Sequence, residues 1–175
     1  NEQGGYDATA YLIQLGHRRI AYLGDNLSVT AGVTTSTERD VGYLQALHDA
    51  DIPQNPDYFR TGTMGSENAK SLALDLLRLP ERPTAIFAMS DVQALGCLSA
   101  TRELGLRVPE DVSIIGYDDL EMSEHIGLST IRQHLVLSGE ITMNYLLQMI
   151  HHDTPDTIPR LPELQVIERR TTAHL

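Results

Sequence analysis

Apolar and polar positions alternate along this chain in two rhythms that take turns. The first 16 residues set Ala8, Tyr11, Leu12 and Leu15 at helical spacing and stop at Gly16, which suits the position just past a helix end. RIAYLG (19–24) then reads as a short buried strand closed by glycine. After a polar loop rich in Ser and Thr, ERDVGYLQALHDA (38–50) puts Val41, Leu44 and Leu47 on one helical face. DYFRTG (57–62) is a second strand. SENAKSLALDLLRLP (66–80) opens with Ser66 as an N-cap, presents Ala69, Leu72, Ala73 and Leu76, and halts at Pro80. TAIFAM (84–89) is a third strand, Asp91–Leu104 a helix ended by Gly105, and VSIIGY (112–117) a fourth strand.

This order predicts right-handed βαβ units, and hence an α/β fold with a parallel sheet flanked by helices on both faces. The tail departs from the rhythm. STIRQ (129–133) is a β-prone link, and SGEITMNYLLQMI (138–150) is a helix whose Ile141, Tyr145, Leu146, Met149 and Ile150 spread over much of its circumference. A helix that apolar should be buried on most sides, and no partner for it stands out in this chain. HHDTPDTIPRLPE (151–163) is a polar, Pro-rich connector, and LQVIERR (164–170) alternates as a final strand.

Composition narrows the function. A chain of 175 residues holds one α/β domain, or at most two small lobes. A net charge of -11, with Lys70 as the only lysine, argues against this stretch gripping nucleic acid itself. The single Cys97 excludes an internal disulfide and points to a reducing compartment. No apolar run reaches membrane-spanning length, and residues 1–16 lack the pattern of a signal peptide. Because the chain opens with Asn1 rather than Met, a removed leader or an upstream domain stays open. The expectation is a piece of a soluble, cytoplasmic protein.

In open parallel sheets, ligands sit beyond the carboxyl ends of the strands, near the point where strand order reverses. Two polar pairs fall there: Ser90–Asp91 after the third strand and Asp118–Asp119 after the fourth. Either pair could contact a ligand or cap local structure. Asp91 directly precedes a helix, which favours capping, whereas no clear helix follows Asp118. Other features carry less. HHD (151–153) lacks a third cluster for a metal, EMSEH (121–125) reads as a solvated or interface turn, and Cys97 as a core residue. There is no nucleotide-phosphate cradle and no nucleophile with a matched base, so neither an enzyme, a cofactor nor a metal is expected.

Three blocks, YLIQLGHRRIAYLG (11–24), PTAIFAMSDVQALGCLSATRELGLRVPEDVSIIGYDD (83–119) and LSTIRQ (128–133), resemble the effector-binding core of bacterial repressors of the lac/galactose repressor family. The resemblance runs through nearly the whole chain, in order. It implies a helix-turn-helix headpiece followed by two periplasmic-binding-protein-like lobes that close on a small effector. Residues 1–131 would then be the C-terminal lobe, 132–155 a crossover whose helix covers the other, mostly missing lobe, and 156–175 the returning strand. The DNA-binding headpiece would be absent from this chain.

The resemblance also implies contacts. Arg39, in ERDVGY, offers a planar fork of donors to an effector, although a surface ion pair with Asp40 or Glu38 is the plain alternative. Asp118, in GYDD, would accept hydrogen bonds from hydroxyls or N–H groups, while Asp119 steadies the turn. Ser90, Asp91 and Gln133 fall where the family reaches its pocket. Met64 stands where family members often place an aromatic platform, and Ser90 where they commonly have Asn; both departures count against copying an effector from a relative. Sugars, polyols and nucleobases remain open. Two copies should pair through residues 92–104 and 120–128, with Leu95, Leu98, Leu120, Met122 and Ile126 as candidate contacts, so the expected partners are a small effector, a second copy and operator DNA met only through the headpiece. The competing readings are a periplasmic sugar- or solute-binding protein of a transporter and, more remotely, a flavodoxin-like α/β enzyme.

Overall fold

Along strand β1 (Ile20–Asp25), successive side chains leave the sheet on opposite faces, and both faces are covered. Ile20 and Tyr22 enter one apolar cluster, Ala21 and Leu23 the other. β3 (Ala85–Ala88) repeats the split, with Ala85 and Phe87 on the first side and Ile86 and Ala88 on the second. β4 (Ser113–Ile115) sends Ile115 and Ile114 to opposite clusters. This computed structural model describes residues 1–26, 35–151 and 159–175. The Ser/Thr-rich loop at 27–34, and His152 and Asp153 of the HHD run, lie outside the described residues.

The four-stranded sheet is parallel throughout, in the order β2-β1-β3-β4, with β2 at Phe59–Gly62. Helices α1 (Glu2–Gln14) and α2 (Thr35–Asp49) pack together over one face, and α3 (Ser66–Leu77) and α4 (Asp91–Glu103) over the other. β1 lies inside the order, so the chain runs first to β2 and then back past β1 to β3. Strand order therefore reverses between β1 and β3, the topology that places a crevice beyond their carboxyl ends.

Past β4 the ladder continues irregularly. Ile115 bridges Ser129, and Asp118 bridges Arg132 on β5 (Thr130–Arg132), which pairs antiparallel with β6 (Gln165–Ile167). Helix α6 (Leu135–Ile150) follows β5 and begins three residues before the expected Ser138. None of its residues is buried: Val136 is 78% exposed and Ile150 61%.

Several expectations need correction. A short helix, α5 (Glu121–Ile126), does follow the Asp118–Asp119 turn; it spans under two turns, too few for an apolar period to register in the sequence. The N-cap of α3 is Gly65 rather than Ser66, and no side chain caps it. On α2 the buried stripe is Tyr43, Ala46 and Leu47, and Val41 faces outward. Residues 56–58 form a 3-10 turn, so the second strand starts only at Phe59.

Candidate ligand site at the carboxyl ends of the strands

Arg39, in α2, reaches across the crevice to the end of β3. Its Nη1 donates to the Met89 carbonyl at 2.5 Å, and Nε and Nη2 donate to the Asn1 side-chain oxygen at 3.3 and 3.1 Å. The guanidinium lies over the Tyr117 ring, 3.7 Å from its centre, a cation–π arrangement that fixes the plane of the fork. The expected alternative, a surface pairing with Asp40 or Glu38, does not describe this buried side chain, whose ion-pair partner is Asp118, at 3.6 Å.

Asp118 follows Gly116 and Tyr117 at the end of the fourth strand and has a φ of 115°, in the region that L residues rarely adopt. Its amide donates to Ile131 O at 2.9 Å, which holds the turn against β5. The carboxylate accepts from Gln133 Nε2 through the same Oδ1 that faces Arg39. Burial pushes this carboxyl up to about 6; Arg39 opposes the rise, Asp91 adds to it and Gln133 opposes it. A carboxylate four-fifths covered yet partly open to the crevice is an acceptor poised for a ligand's hydroxyl or N–H.

The structure thus brings Arg39, Asp118 and Gln133 together. Ser90 caps α4, its hydroxyl accepting from the Gln93 amide at 3.2 Å. Asp91 departs from the ligand contact expected of it. It is fully buried, and its carboxylate accepts from Thr130 Oγ1 at 2.5 Å, Ser123 Oγ at 2.6 Å and the Leu120 amide at 2.8 Å. Both oxygens are occupied by the chain's own donors, so Asp91 ties α4, α5 and β5 to the turn that carries Asp118. Met64 stands in the loop after β2, 66% exposed.

Sequence reasoning missed Tyr117 as the platform under Arg39, and Asn1 and the Met89 carbonyl as the groups that aim it. Tyr117 was visible in GYDD only as a strand residue; stacking depends on a helix some 80 positions away in sequence, for which spacing gives no signal. Of the candidate pairing residues, Leu95, Leu98 and Ile126 border one groove of about 560 Å³ with Leu106 and Val108. Leu120 borders a different groove beside Asp118 and Asp119, and Met122 is half-buried on α5.

A family model described as periplasmic binding protein-like domain matches residues 9–172, which include Arg39, Tyr117, Asp118 and Gln133. The chain belongs to that family. Its similarity extends to regulators of the lac/galactose repressor type. It is 40% identical to the HTH-type transcriptional repressor PurR of Actinobacillus pleuropneumoniae serotype 3, across 99% of this chain and 52% of the relative. Among solved structures it resembles a LacI-family regulatory protein from Chloroflexus aggregans, with a TM-score of 0.86 and 32% identity over 99% of this chain and 62% of that one. It also resembles the lac repressor dimer bound to operator and the anti-inducer ONPF, with a TM-score of 0.83 and 31% identity over 98% of this chain and 58% of that one. The chain thus spans about half the length of the curated relative it matches.

Proposed function

We propose that this chain is the effector-sensing part of a bacterial ligand-responsive transcription repressor, and that it binds a small, polar, largely uncharged effector between two lobes. The observation that carries the reading is the convergence of Arg39, Asp118 and Gln133 where strand order reverses. Arg39 already spends donors on Asn1 and Met89, and Asp118 is left as the prominent acceptor. Such a site suits a ligand rich in donors: a sugar, a polyol or a nucleobase. By linkage, the effector changes operator affinity only as far as it distinguishes the open from the closed form.

The domain plan fits the same reading. Residues 1–131 form the C-terminal lobe, 132–155 cross to a second lobe and 156–175 return. The uncovered apolar surface of α6, with Leu146 48% and Leu147 45% exposed, is what a helix that packs on another lobe presents. Two copies pair through the groove beside α4 and α5, and operator DNA is held by a headpiece outside these residues, in the cytoplasm. Kinship with named repressors weighs against a transporter's binding protein and against an enzyme. Among the described residues, no helix is long and apolar enough to cross a membrane.

The test is a thermal-melting screen of the parent-length protein against sugars, sugar phosphates, polyols and nucleobases, with Asp118→Ala alongside. A ligand that binds only the folded state raises the midpoint once its concentration passes its dissociation constant. The expected result is a shift from one uncharged class that disappears in Asp118→Ala. A shift that survives the substitution, or one confined to phosphorylated compounds, overturns the reading of the site.

A further inference from the structure

Asp119 sits one peptide from Asp118 and makes a different set of contacts. Its side chain is 8% exposed, and each oxygen takes an arginine: Oδ2 accepts from Arg132 Nε at 2.6 Å and Oδ1 from Arg169 Nη2 at 2.7 Å. Arg132 is the last residue of β5, on the path out to α6. Arg169 lies two residues past β6, on the path back. One carboxylate therefore joins the outgoing and returning segments of chain. Arg169 is held in turn, with Nη1 donating to Leu128 O at 2.7 Å and its amide to Ser129 Oγ at 2.9 Å.

The junction is conformationally demanding. Asp118, Asp119 and His134 have φ of 115°, 54° and 53°, which non-glycine residues hold only where the surroundings over-determine them. The surroundings here are specific: Asp118 is tied to Ile131, Asp119 to Thr130 Oγ1 at 3.4 Å, and Leu120 to Asp91. Burial alone would raise the Asp119 carboxyl, and the Arg169 and Arg132 guanidiniums more than offset it, leaving it below the ordinary carboxylate value.

We propose that Asp119 is a positioning residue that couples the Asp118 ligand contact to the two crossover segments, through its paired arginines. The inference rests on the reading of Asp118 as an effector contact and of 132–155 as a crossover, and gives that site its route of transmission. A ligand drawing on Asp118 moves its neighbour one peptide away. Asp119 does not let go of its arginines, because its own carboxylate and Arg169 are buried and breaking that pair leaves a desolvated charge unpaired. The turn, Arg132 and Arg169 thus move as one body, and both crossovers follow.

Amide exchange and the carboxyl resonance of Asp118, followed by NMR in the isotope-labelled full chain, test the coupling without any ligand. Arg169→Gln is the decisive variant, because among the described residues Arg169 makes no hydrogen bond or ion pair with Asp118, and its one charged partner is Asp119. The clamp predicts at least tenfold faster exchange at the Asp118 amide and in the β5–β6 ladder, with the Asp118 titration falling toward the ordinary carboxylate value. Asp119→Asn should do the same, and Arg169→Lys should restore most of the native behaviour. The amides of Leu23 and Phe87 report whether the main sheet is intact; if Asp119→Asn fails to fold, Arg169→Gln alone decides. A change confined to the return strand, with Asp118 exchange and titration as in the native chain, overturns the proposal. Failure of the effector reading shows separately, as the absence of an Asp118-dependent shift in the ligand screen.

Discussion

The Arg39 guanidinium stands 3.6 Å from the Asp118 carboxylate and is stacked on Tyr117, the residue just before it. The pair is not a symmetrical ion pair in water. Arg39 is 7% exposed and Asp118 20%, so the charge of Asp118 is maintained against a desolvation cost that Arg39 only partly offsets.

That cost makes a pH-dependent prediction. The folded-state value of about 6 lies above the ordinary 3.8, so the protonated carboxyl is favoured in the fold. The stability tied to this group is fully present below 3.8 and is lost as pH rises through about 6. Asp118→Asn should therefore raise stability by roughly 2 kcal/mol at pH 7 to 8, and the gain should vanish towards pH 4. Urea melts of both proteins across that range check the sign, and a gain independent of pH counts against it.

Asp91 makes the opposite prediction for its neighbour in space. Three donors converge on its two oxygens, and Gly116 packs so closely that a side chain there would strike the Asp91 carboxylate. Asp91→Asn replaces one acceptor by an NH₂ group that faces donors. It should cost about 2–4 kcal/mol in a urea melt, while leaving no ligand group directly unpaired. An effect on ligand binding larger than the effect on stability would mean that Asp91 touches the effector after all.

How much of this was legible in the sequence follows from the kind of signal each feature leaves. The strands around Tyr22 and Phe87 were readable because a strand covered on both faces is apolar at every position, and only a parallel sheet between helices demands that. The crevice was readable because topology alone places it. The α2 stripe was half readable: Val41, Leu44 and Leu47 have helical spacing, and so do Tyr43, Ala46 and Leu47, and only the packing against α1 chooses between them. Asp91 stayed open between a ligand contact and a local structural role, because its burial depends on Ser123 and Thr130 arriving from two other elements. Asp119 was expected to steady its turn, and the arginines that hold it, 13 and 50 residues away, left no signal in the spacing.

Gly4 links the outer helix to the site. A Cβ at this position would overlap the Tyr117 hydroxyl, so α1 sits directly on the ring that carries Arg39. Gly4→Ala must push either α1 outward or the ring down. It should lower stability by about 1–3 kcal/mol and weaken ligand binding, although residue 4 touches no ligand. Tyr117→Phe removes a hydroxyl that has no hydrogen-bond partner among the described residues and should relieve only part of the clash in the double variant, because two ring carbons would still lie 2.7 Å from the new Cβ. If Gly4→Ala loses stability with ligand affinity unchanged, the platform under Arg39 is not set by α1.

His17 governs the far end of the sheet, and its pH dependence runs against that of Asp118. The ring is 2% exposed, with Nδ1 3.0 Å from Thr84 Oγ1 and Nε2 3.1 Å from Ser113 Oγ and 3.2 Å from Ala173 O. A carbonyl only accepts, so Nε2 carries the proton and Nδ1 accepts from the Thr84 hydroxyl. Burial pushes the ring's pKa down, His174 lowers it further, and the Ala173 carbonyl pulls it back only in part. The stability this neutral ring contributes is present above 6.5 and lost as pH falls below it. His17→Gln keeps one donor and one acceptor but cannot titrate. Relative to the native chain, its stability should change more favourably from pH 7 to pH 5, because the loss at His17 is gone, whereas that of Asp118→Asn should change less favourably, because the gain at Asp118 is gone. Parallel curves for the two variants would show that neither group sets the pH response of the fold.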